Sequence, residues 1–201
     1  ELFTNNRFPN PYYMDPKVLE QAIKCWEYFY TLTDSDGKTR LVTYDNYWGL
    51  CVDEWGVFHW MNTLELLKDY LDPKIIDKWN DRIDTIMLKN VVPGVKRQLY
   101  SNRFRYDVAQ HEVSNHFCWH VTAAYRYGQL RQDRSIMDIA DEVMNLIADG
   151  QTISGTWYEG KTLVSKYATV TIGALSKYYF LSGNKKILHA LQKSLSYISK
   201  L

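Results

Sequence analysis

Apolar positions recur at helical spacing along most of the 201-residue chain. Leu19, Ile23, Trp26, Phe29 and Tyr30 form a stripe that predicts a first helix from Pro16 to Leu32. Asp15 suits its N-cap and Pro16 its first turn. A second helix is predicted from Glu54 to Leu71. A third follows at once, with Asp72 as cap, Pro73 at its start and Ile75, Ile76, Trp79, Ile83, Ile86 and Met87 along one side. A fourth is predicted from Ser114 or Asn115 to Gly128, a fifth from Ser135 to Ala148 and a sixth from Thr162 to Leu181. A seventh carries Ile187, Leu188, Leu191, Leu195 and Ile198.

The helices alternate in character. Odd ones are amphipathic with a charged side; the third carries Lys74, Asp77, Lys78, Asp81, Arg82 and Asp84. Even ones are apolar or small nearly all round, as in Leu163, Val164, Ala168, Val170, Ile172, Ala174 and Leu175 of the sixth. A helix that is apolar all round is buried, so even helices are expected inside and odd helices outside. The links alternate as well. Long ones, over 33–53, 92–113 and 149–161, each precede an inner helix, and long loops in helical proteins tend to carry function. Two look like hairpins: Asp36-Gly37 before the β-type run to Tyr44, and Asp149-Gly150 before Gln151-Thr152-Ile153.

This pattern predicts an all-α fold, an incomplete α/α toroid of helical hairpins with small β-hairpin loops on one face. A straight α-solenoid fits the amphipathicity almost as well but explains the aromatic loops less well. Residues 1–201 read as a single toroid domain or part of one. At roughly 50 residues per hairpin the chain holds about three and a half, which is expected to be a portion of a longer chain with further domains. The first residue, Glu1, and the lack of a signal segment fit a processed or partial sequence.

Composition narrows the function. Hydrophobic residues make up 46% of the chain, and 24 basic side chains face 23 acidic ones. That excludes a disordered chain and gives no sign of a nucleic-acid partner. No apolar run approaches the ~20 residues of a membrane span, so no membrane partner is expected. Cys25, Cys51 and Cys118 lack metal or disulfide spacing and read as small buried residues. The 16 Tyr, 7 Trp and 7 Phe are unusual. Rings in that number belong to a core or to a site for a ligand with flat apolar faces and many hydroxyls, such as a sugar.

Polar clusters gather at the starts of the three predicted inner helices. The first holds Trp48, Asp53, Glu54 and Trp55, the second Asn115, His116 and Trp119, and the third Trp157, Glu159, Lys161 and Lys166. Helix N-termini present free amide donors and positive partial charge, which suits an anionic ligand. Trp48, Trp55, Trp119 and Trp157 are candidates to stack on sugars, with Lys161, Lys166 and Arg103 as cations. Each also has a structural reading: Asn115 caps its helix, the tryptophans anchor loops or core, and the lysines are solvated. His116 and His120 have the i, i+4 spacing of helical metal pairs, but no third ligand is evident beyond nearby His111 and Glu112, and no metal is expected.

The order Asn115-His116, Trp119, Asp149-Gly150, Tyr167 resembles α/α-toroid polysaccharide lyases of the alginate-lyase and heparinase II/III-like families. The resemblance covers Ser114 to Gly183. Where those families often add an Arg or a second His near the Tyr, this chain offers Lys161 and Lys166, and Tyr167 is followed by Ala168. The resemblance implies β-elimination on an acidic, uronic-acid-containing polysaccharide by a secreted or periplasmic enzyme without a cofactor. Asn115 would mask the uronate carboxylate, helped by a cation or a protonated carboxyl. His116 or a deprotonated Tyr167 would take the C5 proton, and Tyr167 would protonate the leaving oxygen. Two other functions stay open. A glycoside hydrolase on the same ring would pair Asp53 or Glu54 with Glu159. A non-catalytic glycan-binding or interaction module needs neither set.

Overall fold

The computed structural model of the chain describes residues 3–6, 9–42 and 47–199. It is predominantly helical, 72% helix and 4% strand. Among the described residues no helix is long and apolar enough to cross a membrane. The chain divides into two compact units, Glu1–Asn90 and Val91–Leu201.

In the first unit, helix α1 spans Pro16–Leu32, the range its stripe predicts, and the Asp15 side chain accepts from the Lys17 amide at 2.9 Å. Strand β1 (Thr39–Val42) pairs antiparallel with β2 (Tyr47–Cys51), with Thr39 opposite Cys51 and a bulge between Leu41 and Val42. Helix α2 (Glu54–Leu67) stops short of Leu71, tightening into a 3₁₀ turn at Lys68–Tyr70. Helix α3 (Pro73–Ile86) starts on the Asp72 cap, and a π turn, Met87–Val91, continues it. The unit is organised around Trp60, which is fully buried. Trp26 stacks on it at 5.6 Å, and Phe29 and Trp79 meet it edge-on at 5.2 and 5.9 Å. Glu27 ties α1 to α3 by accepting from Lys78 and from Trp79 Nε1. Burial would raise its pKa, but those two bonds and the Lys78 charge outweigh burial and hold it below the usual value.

The second unit opens with two short helices, α4 (Val92–Leu99) and α5 (Asn102–Ala109), where the sequence pattern predicts a loop. Pro93 is the second residue of α4, which follows directly on the π turn. Then come α6 (Asn115–Arg131), α7 (Arg134–Asp149), α8 (Ser165–Ser182) and α9 (Lys185–Ile198). Helix α6 runs through Gly128, which Met137 packs against so closely that a Cβ would lie 2.8 Å from its Cγ. The Asp149-Gly150 hairpin is not formed: Gly150 caps α7, and residues 152–156 form a turn closed by Thr152.

Helices α6 and α8 lie side by side and parallel in a constant register. Thr122 Oγ1 donates to the Ala174 carbonyl and Gln129 Nε2 to the Leu181 carbonyl, each pair 52 positions apart. Cys118 bonds Thr171, and Tyr125 packs on Tyr178, each pair one position further apart. Each helix folds back through the next, so α6–α7 and α8–α9 are two successive helical hairpins. Their packing differs. Helix α6 is buried on most sides, at Cys118, Val121, Thr122, Ala123, Ala124, Tyr125 and Tyr127. Helix α8 buries only the stripe Ala168, Thr171, Ala174, Leu175 and Tyr178, and leaves Tyr167 and Phe180 exposed. The expectation of all-round burial therefore fails for α8. The segment just before it fails likewise, since α8 starts at Ser165 and Leu163 is exposed. Cys25 is exposed and Cys51 half-buried, so only Cys118 is the buried cysteine the sequence predicts.

Candidate functional site

The chain ahead of α6 is zipped to the chain ahead of α8. The Tyr158 amide donates to the His111 carbonyl at 2.7 Å, and the Val113 amide donates to the Tyr158 carbonyl at 3.0 Å. His111, in a left-handed conformation (φ 64°), places its Nδ1 3.0 Å from the Gly150 carbonyl. These bonds bring Glu159 onto the first turn of α6. Its Oε2 accepts from the Asn115 amide at 3.1 Å and from Asn115 Nδ2 at 2.7 Å, and Ser114 Oγ donates to Oε1 at 3.4 Å. Ser114 occupies the N-cap position but makes no capping bond of its own. A carboxylate from 44 residues away thus does what a local cap does elsewhere, placing negative charge where the helix dipole and open amides attract it.

A cleft of about 380 Å³ opens beside this turn. Phe104 and Phe117 line it, meeting edge-on at 5.1 Å, together with Val113. Asp107, Glu112 and Glu159 supply three carboxyl groups, and Arg103 the cation. Arg103 Nε donates to Asp107 Oδ2 at 2.9 Å and lies 2.8 Å from Oδ1. The bond to Asp107 and then the charges of Asp107 and Glu112 make its guanidinium still more basic. The same site reaches inward: Cys118, fully buried one turn into α6, has its thiol pushed far up by burial and then by the Glu159 charge.

The predicted site residues divide into groups. Arg103, Ser114 and Glu159 line the cleft, and Asn115, nearly fully buried at 2% exposure, stands behind Glu159 as its donor. His116 is the next residue on the first turn and is exposed. Tyr167 is in the first turn of α8, 41% exposed. The register that pairs Thr122 with Ala174 carries back about two turns to set Asn115 level with Tyr167. Trp119 leans on α8, where a Cβ at Gly173 would stand 3.9 Å from its ring. Lys161 and Lys166 are exposed, Lys161 in a left-handed turn.

Other predicted roles give way to structural ones. Trp157 is buried, its Nε1 donating to the Ile147 carbonyl at 2.8 Å, so it anchors the loop to α7 and has no face for a sugar. Asp53 caps α2 through the Gly56 amide at 2.8 Å, and Glu54 beside it is buried in the first turn. Both belong to the first unit, as does the partly exposed Trp55. Trp48 falls in β2, and its side chain lies outside the described residues.

Sequence reasoning missed Asp107, Phe104 and Phe117 as cleft residues and took Glu112 only as a possible metal neighbour. The spacing of Phe104 and Val108, both buried, was the available signal for α5. Among the described residues no group of three or more His, Cys, Asp or Glu side chains is arranged to hold a metal ion. Comparison of the chain with protein families, with curated proteins and with solved structures gives no match.

Proposed function

We propose that the protein is a polysaccharide lyase that cleaves a uronic-acid-containing polymer by β-elimination. In this reading the hairpins α6–α7 and α8–α9 are consecutive repeats of an α/α toroid, and the enzyme works at a secreted or periplasmic location. One observation carries the proposal: the parallel register of α6 and α8, which sets Asn115 and His116 at the same level as Tyr167. Successive parallel inner helices are what a ring of helical hairpins requires, and the lyase reading draws Asn115, His116 and Tyr167 from the same end of them.

The Asn115–Glu159 pair refines the chemistry. The C5 proton of a uronate is α to a carboxylate, so its removal needs that charge masked. Arg103, the cation lining the cleft, meets the substrate carboxylate, and Asn115 Nδ2 holds Glu159 in place beside it at 2.7 Å. His116 then takes the C5 proton. The C5–H electrons form the C4–C5 double bond, the C4–O bond breaks, and Tyr167 gives its proton to the departing oxygen. No water is consumed.

The test is ultraviolet absorbance of the unsaturated uronate. Alginate, glucuronan, heparin-like, chondroitin-like and pectic polymers are screened with the wild type, Asn115→Ala and Tyr167→Phe. One polymer is expected to give absorbance that Tyr167→Phe loses by at least about a hundredfold, the scale of one acid–base group. Cleavage of neutral glycans with no absorbance from any uronate polymer would refute the proposal.

A hydrolase is the second reading, favoured by Glu112 and Glu159 lining one cleft. Two carboxyl groups facing across a sugar are what glycoside hydrolysis needs. Its pair would be Glu112 with Glu159, in place of Asp53 or Glu54, and its products would carry reducing ends without a double bond.

A further inference from the structure

The net charge of +1 hides an uneven distribution. All 23 acidic side chains lie in residues 1–159, beside 17 of the 24 basic ones, while residues 160–201 carry seven lysines and no Asp or Glu. Lys186 of α9 pairs with Asp149 of α7 at 2.6 Å. Lys166 and Lys177 of α8 are exposed and make no ion pair among the described residues. Gly173 lies between them at spacings of seven and four, so the three share one side of α8.

Trp119 of α6 reaches that side. A Cβ at Gly173 would stand 3.9 Å from its ring, an ordinary contact, and among the described residues would meet nothing nearer. Gly128 of α6 is different: a Cβ there would lie 2.8 Å from Met137 Cγ, so packing requires the glycine. Packing does not require Gly173, and glycine inside a helix costs stability relative to alanine. Its effect is a notch beside the part-exposed Trp119 ring, with a lysine on either side along α8. Such a notch lets a ligand approach the backbone closely. An indole suits the flat apolar side of a sugar ring, and ammonium groups suit its carboxylate. Trp119 lies four residues, about one turn, beyond Asn115 on α6.

We infer that Trp119, Gly173, Lys166 and Lys177 form a subsite that holds an acidic sugar of the polymer, one turn along α6 from the level at which the polymer is cut. The sequence pattern puts Trp119 and Lys166 forward singly; the packing of α6 on α8 joins them and adds Gly173 and Lys177. The inference rests on the lyase reading for the neighbouring cut, but it concerns binding and not bond cleavage.

The experiment is affinity electrophoresis in native gels containing alginate or polygalacturonate, with a thermal melt of each protein. It uses the wild type, Gly173→Ala, Lys166→Gln with Lys177→Gln, and Lys185→Gln with Lys193→Gln, which removes the same charge from exposed positions of α9. At least one polymer is expected to retard the wild type. The α8 lysine pair variant should need about tenfold more polymer for the same retardation, and the α9 pair variant less than about twofold more. Gly173→Ala should melt at a higher temperature than the wild type and yet need about threefold more polymer or above. A packing role for the glycine would move both readouts the same way. Equal losses from the two lysine pairs, a lower melt or unchanged retardation of Gly173→Ala, or no retardation of the wild type by either polymer overturns the inference. So does equal retardation by a single-stranded polynucleotide with the same α8 dependence, which would assign the surface to nucleic acid. Retardation with the expected dependence but no unsaturated product from any uronate polymer sinks the lyase reading and leaves the subsite standing. Unsaturated product with all variants binding alike does the reverse.

Discussion

Helices α6 and α8 have similar sequences in one respect, few charges and many small or apolar residues, and different surroundings. Helix α6 packs against α4, α7 and α8, whereas α8 packs chiefly against α6 and α9. The first is therefore buried on most sides, and the second along one stripe, with Phe180 left 86% exposed. Apolarity all round marks a helix that has the capacity for several neighbours; the number of neighbours then decides how much of it is buried. The same contrast explains the site. The start of α6 is covered by Glu159 and the strap through Tyr158, while the start of α8 leaves Tyr167 accessible. One helix starts on a held, buried polar group, Asn115, and the other on an exposed tyrosine.

The largest expected effect is kinetic. Cys118 lies in the α6–α8 seam, fully buried, with its thiol held neutral by burial and by Glu159, whereas Cys25 is exposed. A thiol reagent at neutral pH should label Cys25 in the folded protein, and Cys118 only through opening, slower by about a thousandfold or more. Comparable labelling would break the seam. Next comes the buried stripe of α8. Tyr178 is fully buried and donates to Asp141 at 2.5 Å, so Tyr178→Ala should cost about 3–5 kcal/mol in urea unfolding. Gly155→Ala should cost about 1–3 kcal/mol in the same assay. Gly155 has φ 92°, and a Cβ there would collide with the Lys193 carbonyl of α9. Asn115→Ala removes one of the three bonds that hold Glu159 on α6 and should cost about 1 kcal/mol. Phe180→Ala, on the open side of α8, should change stability by less than about 0.5 kcal/mol. A large loss there would show that the open side is covered in solution.

Most helices were legible because their stripes run for three turns or more and their caps are ordinary. Asp15 and Asp72 cap as the sequence predicts, while Asp133, read as part of a link, caps α7, which begins one residue ahead of its predicted start. Helices α4 and α5 were not, since eight residues give only about two turns each, too few for a clear stripe. The site was legible in position but not in partnership. Asn115 at the head of α6 was evident; its bond to Glu159 depends on the strap between His111 and Tyr158, two segments with no local pattern. Trp157 was misread for the same reason, because the carbonyl that receives its indole belongs to the preceding helix.

The central claim is elimination at the level shared by Asn115, His116 and Tyr167. Mass spectrometry of the oligosaccharides released from a polymer the protein cleaves tests it most directly. Elimination splits the parent without adding water, so every new non-reducing end is expected to be one water lighter than a saturated end. Products that have each gained a water at the cut would contradict the account and assign the cleft carboxyl groups to hydrolysis.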